Sequence, residues 1–311
     1  MNTADIPPVS ALLLWSLTLL VSNTQANEAA PLPPLADVHL HYNWDQEGVT
    51  EPEEAVAALR REGVVLAVVS GTPPELALAL REAGGDWIVP LYRPYLEGGR
   101  RHSWFNDPRV LPAARKALQS GRYAGIGEFH LIAGRGPGPK NPVLHGLIRL
   151  GIEFRVPLLV HIETSSHKYF LPLCRQYPRA RFLLAHAGGL LDAREIGMLL
   201  SACTNVWTEF SARDGWRYIH SPIVNENGEL LADWLALIRK YPDRFMIGSD
   251  PVWPIENLHS WDQPDTGWER LGEYLDFHRR WLERLPPALE RRLRLDNARD
   301  FFDHGGRVVS E

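Results

Sequence analysis

Cysteine is scarce in this 311-residue chain: Cys174 and Cys203 are the only two. Two cysteines do not make a disulfide framework, and this pair does not have the spacing of a CxxC metal site. An exported chain could pair them; burial as two free thiols in different helices is the equal alternative. Also missing is any block of five like charges, so no basic arm announces a nucleic-acid partner. The net charge of −5 weighs the same way, since an acidic chain does not attract long polyanions. There is no repeat, no low-complexity segment and no internal linker. The apolar stretch "ALLLWSLTLLV", residues 11–21, is too short to span a bilayer comfortably.

That stretch instead reads as the core of a secretory signal peptide. Polar "SNTQA" follows it, and a cut after Ala26 leaves Thr24 and Ala26 where small residues are required. The leading segment departs from the pattern, carrying Asp5 and neither Lys nor Arg. The reading is therefore an exported, periplasmic or secreted protein, with an anchor at 11–21 as the alternative. The expected layout is a signal peptide at 1–26, a join at 27–34 containing part of "PLPPL", one domain at 35–304 and a tail at 305–311. Hydrophobic residues make up 45% and charged residues 23%, an ordinary globular balance. A chain of this length buries a sizeable core without disulfides.

From residue 35 the chain alternates. Apolar strand-like runs are "LADVHLH", "VVLAVVS", "WIVPLY", "YAGIGEFHL", "VPLLVHI", "RFLLAHA", "NVWTEF" and "RFMIGSD". Between them lie stretches of helical spacing such as "PEEAVAALRREG" and "ELLADWLALIRKYPD". Strands nearly continuous in Val, Ile and Leu, separated by helices, indicate a parallel sheet covered on both faces. Eight such units predict an α/β fold, a single-domain (β/α)8 TIM barrel, with an open doubly wound sheet as the alternative.

In such a barrel the site lies at the C-terminal ends of the strands. The first run ends with His39 and His41, which strict alternation places on one face with Asp37. The fourth ends with Glu128 and His130, the fifth with His161 and Glu163, the sixth with His186 and the eighth with Asp250. Any one of these alone could be a hydrogen-bonded core residue or, for Asp250 before Pro251, a helix cap. Burying each unpaired would cost several kcal/mol, roughly. A shared metal ion satisfies them together.

With "DVHLH", "GIGEFH", "LLVHIE", "LLAHAGG" and "IGSD" in this order, the chain resembles the amidohydrolase superfamily, in particular its amidohydrolase-2-like branch. The likeness covers residues 34 to about 304, and "RLRLDNARDFF" is similar to the closing helix of that family. The resemblance implies that His39, His41, His161 and Asp250 bind the catalytic metal. It implies that His186 binds a second ion or orients substrate and water. Many two-metal relatives use a carboxylated lysine on strand 4; this chain has Glu128, which could bridge two ions or complete one site. The nitrogen and oxygen ligand set suits Zn²⁺, and Mn²⁺, Fe²⁺ or Ni²⁺ also fit.

The implied chemistry is attack by a metal-activated water, with Asp250 as the base and His186 supporting the developing oxyanion. The substrate side is thinner. Trp44, Trp104, Trp216, Trp253, Trp261 and Trp268 fall in loops after strands, as aromatic walls or as plain loop cover. Arg93, Arg213 and Arg217 follow strands 3 and 7, where one could clamp a substrate carboxylate. Arg93, Trp104 and Arg213 are the substrate-binding candidates. The stretch 211–228 is long for a connecting loop and could be a lid. Three readings follow: hydrolysis of a small amide, ester or lactone; non-oxidative decarboxylation of an aromatic or unsaturated acid; or non-catalytic periplasmic metal or ligand binding. The expected partner is a small molecule, with no nucleic acid and no stable membrane insertion after cleavage; a homo-oligomer is compatible. A nuclease of the TatD-like kind lacks its basic patch here.

Overall fold

Eight parallel strands pair in chain order, each with the next. In the computed structural model they are β1 (Leu35–His41), β2 (Val64–Ser70), β3 (Ile88–Tyr92), β4 (Gly125–Ile132), β5 (Leu158–Glu163), β6 (Phe182–Leu184), β7 (Val206–Glu209) and β8 (Phe245–Met246). The structure describes Met1 and residues 32–97, 100–138, 140–217, 219–252 and 264–303. The signal segment beyond Met1, Trp253, Trp261 and the tail lie outside the described residues.

The helices are α1 (Trp44–Glu47), α2 (Pro52–Arg61), α3 (Glu75–Gly84), α4 (Val110–Gln119), α5 (Pro142–Phe154), α6 (Leu171–Gln176), α7 (Ala193–Ala202), α8 (Ala232–Lys240), α9 (Leu271–Leu282), α10 (Pro287–Arg291) and α11 (Asn297–Asp303). Their starts follow local chemistry. Asn141 accepts the Leu144 N–H at 3.0 Å ahead of Pro142, and Asp192 accepts the Glu195 N–H at 2.8 Å. Each satisfies a donor the helix itself cannot.

The ring closes where the chain beyond β8 meets β1. Val38 N–H donates to Ile247 O at 3.1 Å, and Asp250 N–H donates to His39 O at 2.8 Å. Asp37 reinforces the seam by accepting the Ser249 N–H at 2.9 Å. The fold is therefore the single-domain (β/α)8 barrel that the alternation predicts. No helix among the described residues is long and apolar enough to cross a membrane.

Two apolar clusters divide the strands. Ala36, Val38, Leu66, Val68, Leu159, Leu183 and Met246 pack with Phe301 and Phe302 of α11. Leu35, Leu40, Val69, Phe129 and Val160 pack with the surrounding helices. Each fully buried Leu or Phe contributes about 1.5–3 kcal/mol. In β1, Leu35 and Leu40 share a cluster although five positions separate them, so strict alternation fails between them. The ladder shows the break: its register shifts between Asp37 and Leu40. β4 carries a shift of its own between Ile126 and Phe129. These bulges turn the His39–His41 and Glu128–His130 pairs into the mouth of the barrel. Gly127 permits the one in β4, with φ +133°, because a Cβ there would stand 2.3 Å from Leu159 O.

Cys174 in α6 and Cys203 after α7 form a disulfide, so the free-thiol alternative does not hold. The two helices are neighbours on the barrel surface, which brings together residues that the sequence places far apart.

Candidate metal centre

Glu128 stands at the centre of the site. Its carboxylate oxygens lie within 3.1–3.9 Å of a ring nitrogen on each of five histidines: His161 at 3.1 Å, His41 at 3.3 Å, His39 and His186 at 3.7 Å, and His130 at 3.9 Å. All of these side chains are buried. Asp250 Oδ1 lies 3.5 Å from His41 Nε2 and 3.7 Å from His39 Nε2. Three overlapping groups of metal-capable atoms result: His39, His41 and Asp250; His39, Glu128 and His186; and Glu128, His130 and His161. The four ligands implied by the resemblance thus divide between two groups, and Glu128 lies between them.

Hydrogen bonds fix which nitrogen of each ring faces inward. Glu209 Oε1 accepts from His39 Nδ1 at 2.9 Å; a carboxylate only accepts, so Nδ1 carries the proton and Nε2 offers its lone pair. His186 Nδ1 donates to Ser211 Oγ at 2.8 Å, and that hydroxyl donates to Glu209 Oε1 at 2.9 Å. His41 Nδ1 pairs with Ser70 Oγ at 3.1 Å. His161 is reversed: its Nε2 faces Glu163 at 3.4 Å and its Nδ1 faces Glu128.

These residues fit a divalent cation. The Nε2 atoms of His39 and His41 face each other across 3.0 Å, a spacing that two imidazole lone pairs hold only with a cation between or beside them. Without an ion, a proton takes that part. Burial alone lowers the His39 pKa, but the Asp250, Glu128 and Glu209 carboxylates together raise it to about 10. Burial and the Arg93 charge lower His41 to about 4. Burial opposes charge on Asp250, yet the surrounding imidazoles hold it at about 2. Burial also keeps His130 well below the usual imidazole range.

The backbone is strained where two of these groups sit. His186 has φ +55° and Asp250 φ +50°, both in the left-handed region. β6 ends at Leu184 and β8 at Met246, so both residues lie on turns just past their strands rather than in them. Gly248 lets the seam close: a Cβ there would meet His39 Cβ at 2.7 Å and Glu209 Oε2 at 2.9 Å.

The site opens into a cavity of about 710 Å³. Arg93, Arg101 and His102 line it, as do Trp44, Leu190 and Ile219. Arg93 is pinned, donating to Glu128 O and Oε2 and to Asn43 and Thr72. Arg213 and Trp104, expected to touch substrate, do not line the cavity. Arg213 is fully buried and donates to the carbonyls of Gly189, Leu191 and His186, which braces the turn carrying His186. Trp104 is turned into the core against Phe129 and Phe105. Arg217 pairs with Asp214 at 2.7 Å and donates to Ser249 O and Asp250 O. It holds the Asp250 turn. The stretch expected as a lid is cross-braced instead, with Ile223 N–H donating to Arg213 O and Val224 bridging to Leu230. Trp216 stacks on Tyr274, and Trp268 Nε1 donates to His41 O at 2.9 Å.

Sequence reasoning missed Glu209. It accepts from His39 Nδ1, His186 N–H, Ser211 N–H and Ser211 Oγ. The signal is present in the sequence: a carboxylate closes the apolar run "NVWTEF", just as Asp250 closes "RFMIGSD".

Fold and site together define a metal-dependent enzyme of the (β/α)8 class. The amidohydrolase family model matches residues 36–304, and the chain belongs to that family. No curated protein matches the chain. Among solved structures it is similar to a probable 2-pyrone-4,6-dicarboxylic acid hydrolase from Acinetobacter baumannii, at 13% identity over 87% of this chain and 99% of that one, TM-score 0.53. It is similar to a dihydroorotase from Campylobacter jejuni, at 16% identity over 88% and 84%, TM-score 0.54. An amidohydrolase from Burkholderia multivorans with bound zinc shares 16% identity over 87% and 99%, TM-score 0.50.

Proposed function

We propose that this protein hydrolyses a small amide, ester or lactone at a divalent-metal centre held by His39, His41, Glu128, His161, His186 and Asp250. The observation that carries the reading is the Glu128 carboxylate ringed by five imidazoles, beside Asp250, at the mouth of the barrel. Glu128 reaches both the His39 and His186 rings, at 3.7 Å each, and the His161 ring at 3.1 Å, which suits two ions. The nitrogen and oxygen donor set suits zinc, which the Burkholderia multivorans relative binds. An ion bound here supplies an acidified water and a polarised carbonyl.

The chain's own groups do the rest. Asp250, held ionised by its imidazole neighbours, accepts the proton of the attacking water and returns it to the leaving group. His186, its Nδ1 proton committed to Ser211 Oγ and its Nε2 3.8 Å from Asp250 Oδ2, offers that Nε2 lone pair to the ion. Arg93 fixes Glu128 and borders the cavity. Decarboxylation of a carboxylic acid is the second reading, favoured by Arg93 and Arg101 on the cavity wall.

Export is part of the proposal, with residues 1–26 removed. The Cys174–Cys203 disulfide suits an oxidising compartment. Metal analysis of purified protein, then a screen of lactones, esters, amides and aromatic acids, tests the activity. A metal-free protein, or one that releases only CO₂, overturns the hydrolase reading. N-terminal sequencing from the native host should find a start near Asn27.

A further inference from the structure

His130 stands apart from the other histidines of the centre. Its ring is buried and lies flat against His161, with centroids 4.3 Å apart and planes 23° apart. Its Nδ1 is 2.6 Å from the Tyr95 hydroxyl, and its backbone N–H also donates to that hydroxyl at 2.9 Å. Tyr95 is buried in turn, with the Arg93 guanidinium 4.8 Å above its ring.

The Tyr95 hydroxyl has one proton to place. If it donates to His130 Nδ1, the hydroxyl gives one hydrogen bond and accepts one. If Nδ1 were the donor, the hydroxyl would accept twice and its own proton would have no acceptor among the described residues. A buried unpaired hydroxyl is costly, so the first arrangement holds. The neutral ring then carries its proton on Nε2. A protonated Nε2 cannot ligate a metal. That atom is 3.9 Å from Glu128 Oε2, beyond hydrogen-bond range, and His130 lines the cavity.

We infer that His130 is not a ligand of the metal centre but a hydrogen-bond donor, through Nε2–H, to an oxygen of the substrate, with Tyr95 as the positioning residue that fixes its tautomer. The acceptor is a carbonyl or carboxylate oxygen next to the bond that breaks. This rests on the hydrolase reading only for the identity of that oxygen. His39 and His186 show the opposite pattern, with Nδ1 donating and Nε2 facing the centre.

The test uses zinc-loaded full-length protein with ¹⁵N-labelled histidine. Long-range ¹H–¹⁵N spectra should show His130 with Nδ1 bare and Nε2 protonated, assigned by loss of the signal in His130→Gln. In Tyr95→Phe that preference should weaken. Metal per chain should match the parent in His130→Gln, His130→Ala and Tyr95→Phe. Against a substrate the parent turns over, His130→Ala should lose about 10²-fold in kcat/KM, the scale of one lost donor to a developing oxyanion. His130→Gln should recover part of it, and Tyr95→Phe should fall between. The reversed tautomer, a drop in metal content in His130→Gln, or parental kcat/KM in His130→Ala each overturns the assignment. A parent that binds metal and shows the expected tautomer but hydrolyses nothing counts against the hydrolase reading alone. The donor is then read from acetohydroxamate binding by calorimetry, which should weaken about tenfold in His130→Ala; unchanged binding overturns it.

Discussion

Glu209 Oε1 and His39 Nδ1 lie 2.9 Å apart, and neither side chain is exposed at all. The carboxylate fixes the tautomer and the direction of the ring that faces His41. Its charge also makes the His39 Nε2 lone pair a better donor to a cation. Replacing Glu209 by Ala should weaken metal binding by about 10–100-fold, the usual effect of losing such an outer partner. Competition with a chelator of known affinity measures it. Parental affinity in Glu209→Ala would show that the ring is held by other means.

Asp250 is assigned two jobs, ligand and base, and one substitution separates them. Asp250→Asn keeps an oxygen but loses the charge and the basicity. It should retain part of its metal while turnover falls about 10²–10⁴-fold, the range of general base catalysis. The parent should bind two ions per chain and His186→Asn one. Near-parental turnover in Asp250→Asn would refute the base assignment whatever the metal count.

His278 makes the stability pH-dependent. It is fully buried, its Nε2–H donating to Gly248 O at 2.9 Å and its Nδ1 accepting from Trp281 Nε1. Burial lowers its pKa to about 3. In the unfolded chain the imidazole titrates near 6.5, roughly. Between these values the unfolded state binds a proton that the folded state refuses. The stability from this residue is thus full above about pH 6.5 and is lost as pH falls towards 3. His278→Gln keeps the donor to Gly248 without a titrating group. Its thermal midpoint should fall less between pH 7 and pH 5 than that of the parent. Parallel curves would remove His278 from the acid response.

The Cys174–Cys203 bond closes a loop of 29 residues in sequence separation. Opening it should cost about 2–4 kcal/mol through the freedom regained by the unfolded chain. Calorimetry with and without reductant should therefore show a midpoint several degrees lower in reductant. The Cys174→Ala, Cys203→Ala double variant should show no such dependence.

The strands were legible because each is an apolar run bounded by a turn, and burial on both faces leaves that mark in sequence. The histidines and Asp250 were legible because polar groups at the ends of such runs demand a reason. The bulges in β1 and β4 were not. Alternation alone put Asp37 with His39 and His41, whereas a register shift separates them and leaves Asp37 to clamp the seam at Ser249. Arg213 misled for a different reason. A guanidinium in a loop after a strand can reach substrate or its own backbone, and only the fold shows that the carbonyls of the His186 turn take it. The disulfide depends on a distance between two helices that no spacing encodes.

The tight fit at Gly248 reaches beyond the chemistry of the site. A side chain at 248 cannot be accommodated without moving His39 or Glu209. Positions 39, 209 and 248 lie on three separate stretches of chain but behave as one unit of variation. A redesign that altered any one of them alone would disturb the other two. The cavity wall carries no such tie at Trp44 and Leu190, whose side chains are 45% and 62% exposed. Laboratory evolution towards new substrates should therefore accumulate changes at the rim and leave the seam between the first and last strands untouched.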